Sequence, residues 1–161
     1  TKWIIKEISK IDGPVYVRLS RLATPVIYEE DNQFEIGKGV QIGNGTDATI
    51  IATGVTVAEA IKAQEILKGK GIDVRVVDMH TIKPIDKELI IKCAKETKRI
   101  VTIEDHSTIG GLGSSVCDVL AENYPTKVEK MGINDKFGES GKAEELMRFY
   151  GIDAQAIVEK F

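Results

Sequence analysis

The chain has few of the residues that disulfide and metal sites require. Its 161 residues include two cysteines and two histidines, and only 6% of them are aromatic. Two thiols without histidine neighbours cannot fill a zinc site, and Cys93 and Cys117 each lie within an apolar helical pattern. We therefore predict two reduced core thiols in a cytoplasmic protein, with neither a disulfide nor a metal ion.

Long hydrophobic runs and a strong charge of one sign are also missing. No apolar run approaches the roughly 20 residues that a transmembrane helix needs. The chain has 22 Lys and Arg against 25 Asp and Glu, a net charge of −3, with the two signs interspersed. This balance disfavours nucleic acid and anionic membranes as main partners. We therefore expect neither of them as a partner.

What the chain does have, from residue 47 onward, is a regular alternation of short β-branched runs and helical patterns. The runs predict strands at residues 48–53, 73–79, 99–104 and 127–133, separated by helices, and two further helices close the chain, the second of them capped by Asp153. Right-handed crossovers between such strands produce a mostly parallel sheet with helices on both faces. We predict a three-layer α/β/α domain over residues 36–161, with about five strands and one antiparallel edge strand.

Two local signals refine this prediction. Asn44-Gly45 is a tight-turn dipeptide and predicts a hairpin within residues 34–47, which would supply the antiparallel edge strand. Thr56 and Glu59 have the spacing of a capping box and predict that a helix begins there.

The first 35 residues lack the alternation. A helical pattern opens the chain, and residues 13–21, GPVYVRLSR, alternate apolar and polar side chains like a strand that ends on Arg21. The stretch that follows contains Pro25 and no periodic pattern, and it is longer than most connections within one compact domain. We predict that residues 1–22 end a preceding domain, that residues 23–35 are a linker, and that the chain is a fragment.

A glycine-rich turn at residues 106–115 lies between a predicted strand and a predicted helix, where parallel α/β folds bind anions and nucleotides. It departs from the dinucleotide fingerprint, because Val116 stands where a third small residue belongs. A second glycine pattern, at residues 43–48, precedes a strand instead of following one. At both places we favour a structural role, in which glycine permits close packing and positive φ angles.

Three polar residues, Glu104, Asp105 and His106, close the third predicted strand. A carboxylate near a histidine could perform acid–base chemistry, but no nucleophile or metal-ligand spacing accompanies them. We favour capping, turn or interface roles, since short polar side chains often bond neighbouring backbone in turns. His80 is interpreted as a histidine that packs in a loop.

Arg21 has two interpretations that are about even on chemistry alone. Its guanidinium is a planar fork of donors that could bind a phosphate or a carboxylate. It could instead form an ion pair with the acidic linker, from Glu29 to Asp31.

Four stretches, taken in order, resemble the C-terminal end of transketolase. Residues 13–21 resemble the last strand of its middle, pyrimidine-binding domain, and residues 47–86 resemble the start of its C-terminal domain. Residues 101–116 (VTIEDHSTIGGLGSSV) and 135–151 (DKFGESGKAEELMRFYG) resemble later segments of that domain. The resemblance spans the chain and identifies it with the transketolase-like family, which includes 1-deoxy-D-xylulose-5-phosphate synthase and the beta subunits of 2-oxo-acid dehydrogenases.

The resemblance implies a transferase of the pentose phosphate pathway that uses thiamine diphosphate and magnesium to move a two-carbon ketol unit between sugar phosphates. It implies that Arg21 binds the substrate phosphate, and that other domains bind the cofactor and the metal. From these residues we expect no catalytic side chain and no cofactor ligand. The expected partners are the N-terminal section or domains of the same enzyme, in a homodimer or heterotetramer that the C-terminal domain supports. Alone, the chain is expected to be inactive.

Two alternatives stay open. The first is the C-terminal part of 1-deoxy-D-xylulose-5-phosphate synthase, in which a proline more often stands at the position of Ser20. The second is a non-catalytic α/β module that binds a small anion in the crevice of residues 104–115.

Overall fold

Five strands form one mixed sheet in the computed structural model, which describes residues 1–21, 23–29, 32 and 34–161. The strands are β1 (Val40–Ile42), β2 (Ala48–Ala52), β3 (Val74–Asp78), β4 (Ile100–Ser107) and β5 (Val128–Ile133). They lie in the order β1-β3-β2-β4-β5. The pairs β2–β3, β2–β4 and β4–β5 are parallel, whereas β1 runs antiparallel to β3 at the edge. The predicted α/β fold class, with its antiparallel edge strand, is confirmed.

Helices cover both faces of this sheet. In chain order the helices are α1 (Lys2–Ile8), α2 (Thr56–Gly69), α3 (Lys87–Thr97), α4 (Leu112–Asn123), α5 (Ala143–Phe149) and α6 (Ala154–Val158), of which α2 and α6 cover one face and α3 and α4 the other. Successive strand residues point to opposite faces, so Ile50 packs in the core beneath α2 and α6 while Ile51 packs beneath α3 and α4. Every residue of β2 and β3 is buried. This explains why β2 appears in the sequence as an unbroken apolar or β-branched run, whereas β3 adds Arg75 and Asp78 to its three valines.

The edge strand forms by a different route from the predicted hairpin. Val40–Ile42 pairs with β3, more than thirty residues further along the chain, with Val40 opposite Asp78. Gly45 lies tightly against β3, where a Cβ atom would overlap the backbone of Val74. The hairpin prediction was therefore wrong, because burial against β3 determines the path of residues 40–47 more than the local turn preference of Asn44-Gly45.

Helix α2 begins at Thr56, as predicted, but the capping box does not form. The Thr56 side chain is buried, and its hydroxyl lies 2.8 Å from the Thr53 carbonyl oxygen and 3.0 Å from that of Ile103. The Glu59 carboxylate accepts a hydrogen bond from the Ala154 amide at 3.0 Å. Both side chains thus join α2 to other elements instead of capping their own helix. The prediction for the last helix was correct, since Asp153 caps α6 by accepting from an amide in its first turn.

Residues 13–21 do not form the predicted strand. No strand is present within them, and Val15, Tyr16 and Leu19 are exposed. Alternating side chains favour a strand, but a strand also needs the backbone of a neighbour to bond with, and none of the described strands pairs with this segment. The side chains of the segment nevertheless contact the α/β domain.

Among the described residues, no helix combines the length and the apolar character that spanning a membrane would take.

Candidate functional site

Glu104 lies at the carboxyl end of the sheet, where the glycine-rich turn leads into α4. Its side chain is fully buried, and its two carboxylate oxygens accept hydrogen bonds from the backbone amides of Leu112 and Gly113, each at 2.8 Å. The free amides and the positive end of the helix dipole make this position favourable for an anion. The chain fills it with its own carboxylate, which confirms the predicted capping role of Glu104.

The glycines of this turn allow the carboxylate to approach the helix. A Cβ atom on Gly111 would overlap the Glu104 carboxylate, and one on Gly113 would lie 2.7 Å from the Lys130 side chain and 2.8 Å from the Thr102 hydroxyl oxygen. The glycines are therefore required by close packing. This turn is built around an internal carboxylate, and that arrangement leaves the same amides unavailable to a nucleotide phosphate.

Asp105, the next residue, forms an interface contact with the opening segment of the chain. The Arg18 guanidinium donates from Nη1 to Oδ1 at 3.1 Å and from Nη2 to Oδ2 at 2.9 Å. Nη2 also donates to the Asp105 carbonyl oxygen at 3.1 Å. The sequence pointed to an interface role for Asp105 but not to its partner Arg18, because no spacing rule links two residues so far apart in the chain. His106, beside them, is exposed.

Arg21 lies three residues beyond this ion pair and is exposed. Within the described part of the chain it forms no ion pair or hydrogen bond, and in particular none with Glu29. The rest of the proposed acidic partner, Glu30 and Asp31, lies outside the described residues. The phosphate-binding role of Arg21 therefore stays a prediction.

A second contact of the opening segment lies at the end of β3. The Tyr28 hydroxyl donates a 2.7 Å hydrogen bond to Oδ2 of Asp78, a carboxylate that is only 7% exposed. Burial raises the pKa of Asp78, whereas the hydrogen bond from Tyr28 and the charge of His80 lower it. Burial and the neighbouring Asp78 together raise the pKa of Tyr28. The Tyr28 hydroxyl therefore stays protonated and remains a donor.

His80 packs in a loop, as predicted, and the structure adds that its neighbours are aromatic. Its ring centroid lies 5.9 Å from that of Trp3 and 5.6 Å from that of Phe34. Its Nε2 atom is buried and has no hydrogen-bond partner within the described residues. Burial lowers the pKa of His80, an effect that the Asp78 carboxylate partly opposes. The cluster holds α1 against the α/β domain through Trp3.

A metal ion or a diphosphate cofactor would need thiols, carboxylates, imidazoles or free backbone amides as ligands. Both cysteines are free thiols, as predicted, although Cys117 is only half-buried and does not belong to the core. No three His, Cys, Asp or Glu side chains converge as metal ligands in the described ranges. The turn amides that could hold a diphosphate are bonded to Glu104. The residues that the structure describes therefore do not fit thiamine diphosphate with its magnesium ion.

Comparison with known proteins shows the same family in sequence and in structure. The family model for the transketolase C-terminal domain matches residues 37–157. A Methanocaldococcus jannaschii protein named as a transketolase C-terminal section is 52% identical over 99% of this chain and 51% of its own length. One of the subunits of the apulose-4-phosphate transketolase of Phocaeicola vulgatus is 45% identical over 98% of this chain and 50% of its own length.

A solved structure agrees with these relatives. It is described as a split-gene transketolase in an inactive beta4 tetramer, and it superposes with a TM-score of 0.93 at 46% identity, over 97% of this chain and 51% of that one. The chain thus spans about half the length of the relatives and of the solved structure that it matches. On these matches, the chain belongs to the transketolase family, and residues 37–157 correspond to that family's C-terminal domain.

Proposed function

We propose that the chain is the C-terminal part of a thiamine-diphosphate-dependent transketolase, which transfers a two-carbon ketol unit between sugar phosphates. The observation that carries the proposal is the extent of the match. The domain match begins at residue 37, whereas the relatives match 98–99% of the chain. The opening segment therefore shares the family resemblance with the α/β domain that follows it.

This extent supports the division of the chain into three parts. In our proposal, residues 1–22 end the pyrimidine-binding domain, residues 23–35 are the linker, and residues 36–161 are the C-terminal domain. Trp3 and Arg18 then contact the C-terminal domain from the preceding one, as residues at a domain boundary do.

Arg21 is the residue through which this part of the enzyme would contact the substrate. It is exposed, it is unpaired within the described residues, and it follows the segment that Arg18 holds against the carboxyl end of the sheet. Its donor fork matches two oxygens of a phosphate group. We propose that Arg21 binds the phosphate group of the sugar-phosphate substrate.

The cofactor belongs elsewhere in this proposal. Thiamine diphosphate supplies the carbon chemistry when it is bound, and the residues described here do not fit it. We therefore place the cofactor and magnesium on the N-terminal section of the enzyme, and we expect this chain to be inactive alone. The solved relative that is described as an inactive tetramer supports that expectation. With its N-terminal section, the chain would form a homodimer or a heterotetramer.

The two alternatives are less well supported. 1-Deoxy-D-xylulose-5-phosphate synthase is a relative at 39% identity, below the relatives named as transketolases above. An anion-binding module would use the crevice at residues 104–115, but the carboxylate of Glu104 already holds the amides there.

Reconstitution tests the proposal. The chain, the N-terminal section and their mixture would each be assayed with thiamine diphosphate and magnesium for ketol transfer to ribose 5-phosphate. We expect transfer by the mixture alone. Transfer by the chain alone, or none by a stable complex of the two sections, would contradict the proposal.

A further inference from the structure

The segment between Arg18 and Tyr28 passes across the carboxyl end of the sheet. Arg18 is bonded to Asp105 of β4, and Tyr28 is bonded to Asp78, the last residue of β3. In the sheet β2 lies between these two strands, so the segment must pass the end of β2. Residues 24–28 accordingly face Gly54 and the first turn of α2. We call residues 18–21 and 23–28 the crossing segment.

The attachment at Arg18 joins the segment to β4 at more than one point. Three hydrogen bonds from two guanidinium nitrogens join Arg18 to Asp105, and both carboxylate oxygens are used. A two-point fork of this kind fixes orientation as well as distance. Arg21 is three residues further on, so its Cα lies within about 10 Å of that of Arg18.

The hydrogen bond of Tyr28 fixes the other end of the crossing segment to β3. The Tyr28 hydroxyl donates to the Asp78 carboxylate, which is buried. Because water reaches this carboxylate poorly, losing the hydrogen bond would leave it without a replacement partner, which is costly. Two neighbours of β2 thus hold the two ends of the crossing segment, and Arg21 lies between them with its own side chain exposed.

We propose that Asp105, acting through Arg18, and Asp78, acting through Tyr28, are positioning residues for Arg21. This inference rests on the proposed function and adds the residues that hold the phosphate-binding arginine in place. Neither aspartate touches substrate. Holding the segment before substrate arrives removes part of the entropy cost of ordering Arg21 on binding, and it fixes the phosphate relative to the reacting carbon.

The test uses the complete enzyme, in which this chain is combined with its N-terminal section. Asp105→Ala removes the side-chain fork. We expect kcat/KM with ribose 5-phosphate as acceptor to fall about fivefold, the effect of losing a partly exposed ion pair, and kcat/KM with glycolaldehyde to stay nearly unchanged. Tyr28→Phe removes only the hydroxyl, and we expect a smaller loss with the same selectivity.

Glu88→Gln is the matched control. It removes an ion pair with Lys38, 3.1 Å long and exposed, on a part of the surface that does not contact the crossing segment. We expect no change in acceptor preference. In the wild type and in each variant, peptide-level hydrogen exchange would follow residues 14–21, and their exchange should rise in Asp105→Ala but not in Glu88→Gln.

A double variant separates positioning from a purely structural role. If Asp105 acts through Arg21, then Arg21→Ala combined with Asp105→Ala should lose no more preference for the phosphorylated acceptor than Arg21→Ala alone. Full additivity, equal losses for both acceptors, or unchanged exchange at residues 14–21 would overturn the positioning role. The proposed function would stand in those cases, provided that Arg21→Ala remains selective. An unselective Arg21→Ala would overturn the assignment of Arg21 and the positioning role together.

Discussion

The carboxylate of Glu104 lies directly against the α-carbon of Gly111, so closely that a single added methyl group at residue 111 would overlap it. The same carboxylate bonds two amides in the first turn of α4. The glycine in the turn and the acid in the strand are therefore one structural unit, and changing either should disturb the other.

Gly111→Ala should destabilise the domain. The methyl group would push a buried carboxylate away from two amides, and a hydrogen bond to a charged group contributes about 1.5–3 kcal/mol. We expect the free energy of unfolding to fall by about 2–4 kcal/mol in urea denaturation. Gly138→Ala is the control, because a Cβ atom there has no neighbour within 4 Å and its φ angle is ordinary. Nucleotide binding that Gly111→Ala abolished would show instead that the turn is a ligand site.

His80 should make stability depend on pH. Burial lowers its pKa in the folded protein, so below about pH 6.5 the unfolded chain binds more protons than the folded one. Stability should therefore fall as the pH decreases from neutral through the folded pKa, because protonation puts a charge on a half-buried ring whose Nε2 is buried and has no partner in the described residues.

The comparison for this prediction is His80→Phe, which keeps an aromatic ring beside Trp3 and Phe34 but cannot titrate. Urea unfolding at pH 7.5 and pH 5.5 should show a larger loss for the wild type than for the variant. Trp3 is the only tryptophan, so its emission reports directly on the position of α1. Equal losses in the two proteins would show that His80 is not the group responsible.

Deletion of residues 1–22 should leave an α/β domain that unfolds in one cooperative transition. Helix α1 buries no residue of its own, and its contact with the domain is made by the ring of Trp3. Aromatic pairs contribute about 0.5–1.5 kcal/mol each, and an exposed ion pair such as Arg18–Asp105 about 0–1 kcal/mol. We expect a loss of about 1–3 kcal/mol. A loss large enough to remove cooperativity would show that the opening segment is part of the domain core.

The sequence predicted those parts of the fold that depend on periodicity and burial. Strands β2 and β3 are buried throughout, so their runs were visible without knowledge of their neighbours. Asp153 at the start of α6 was predicted because a helix cap depends only on residues close in the chain. Local rules failed where distant elements decide the outcome. Thr56 bonds a carbonyl of β4 in addition to one in the preceding turn, and the edge strand pairs with β3.

In the candidate site, too, some contacts could be predicted from the sequence and others could not. For Glu104 a capping role was one of the three roles that the sequence favoured, since short polar side chains near a turn often bond backbone close in the chain. Arg18 could not be predicted, because its partner Asp105 is 87 residues away and no periodicity relates them. The Tyr28–Asp78 hydrogen bond is of the same kind. Contacts of this type depend on how the opening segment lies on the folded domain.

The acceptor preference of Arg21→Ala in the complete enzyme tests the central claim most directly. Losing a charge-assisted hydrogen bond to phosphate should lower kcat/KM for ribose 5-phosphate by about ten- to a hundredfold. The value for glycolaldehyde, which has no phosphate, should change little. Arg21→Lys should recover only part of the loss, since an ammonium group lacks the two-point fork. Equal losses for ribose 5-phosphate and glycolaldehyde would contradict the account, because Arg21 would then be serving the fold and not the substrate phosphate.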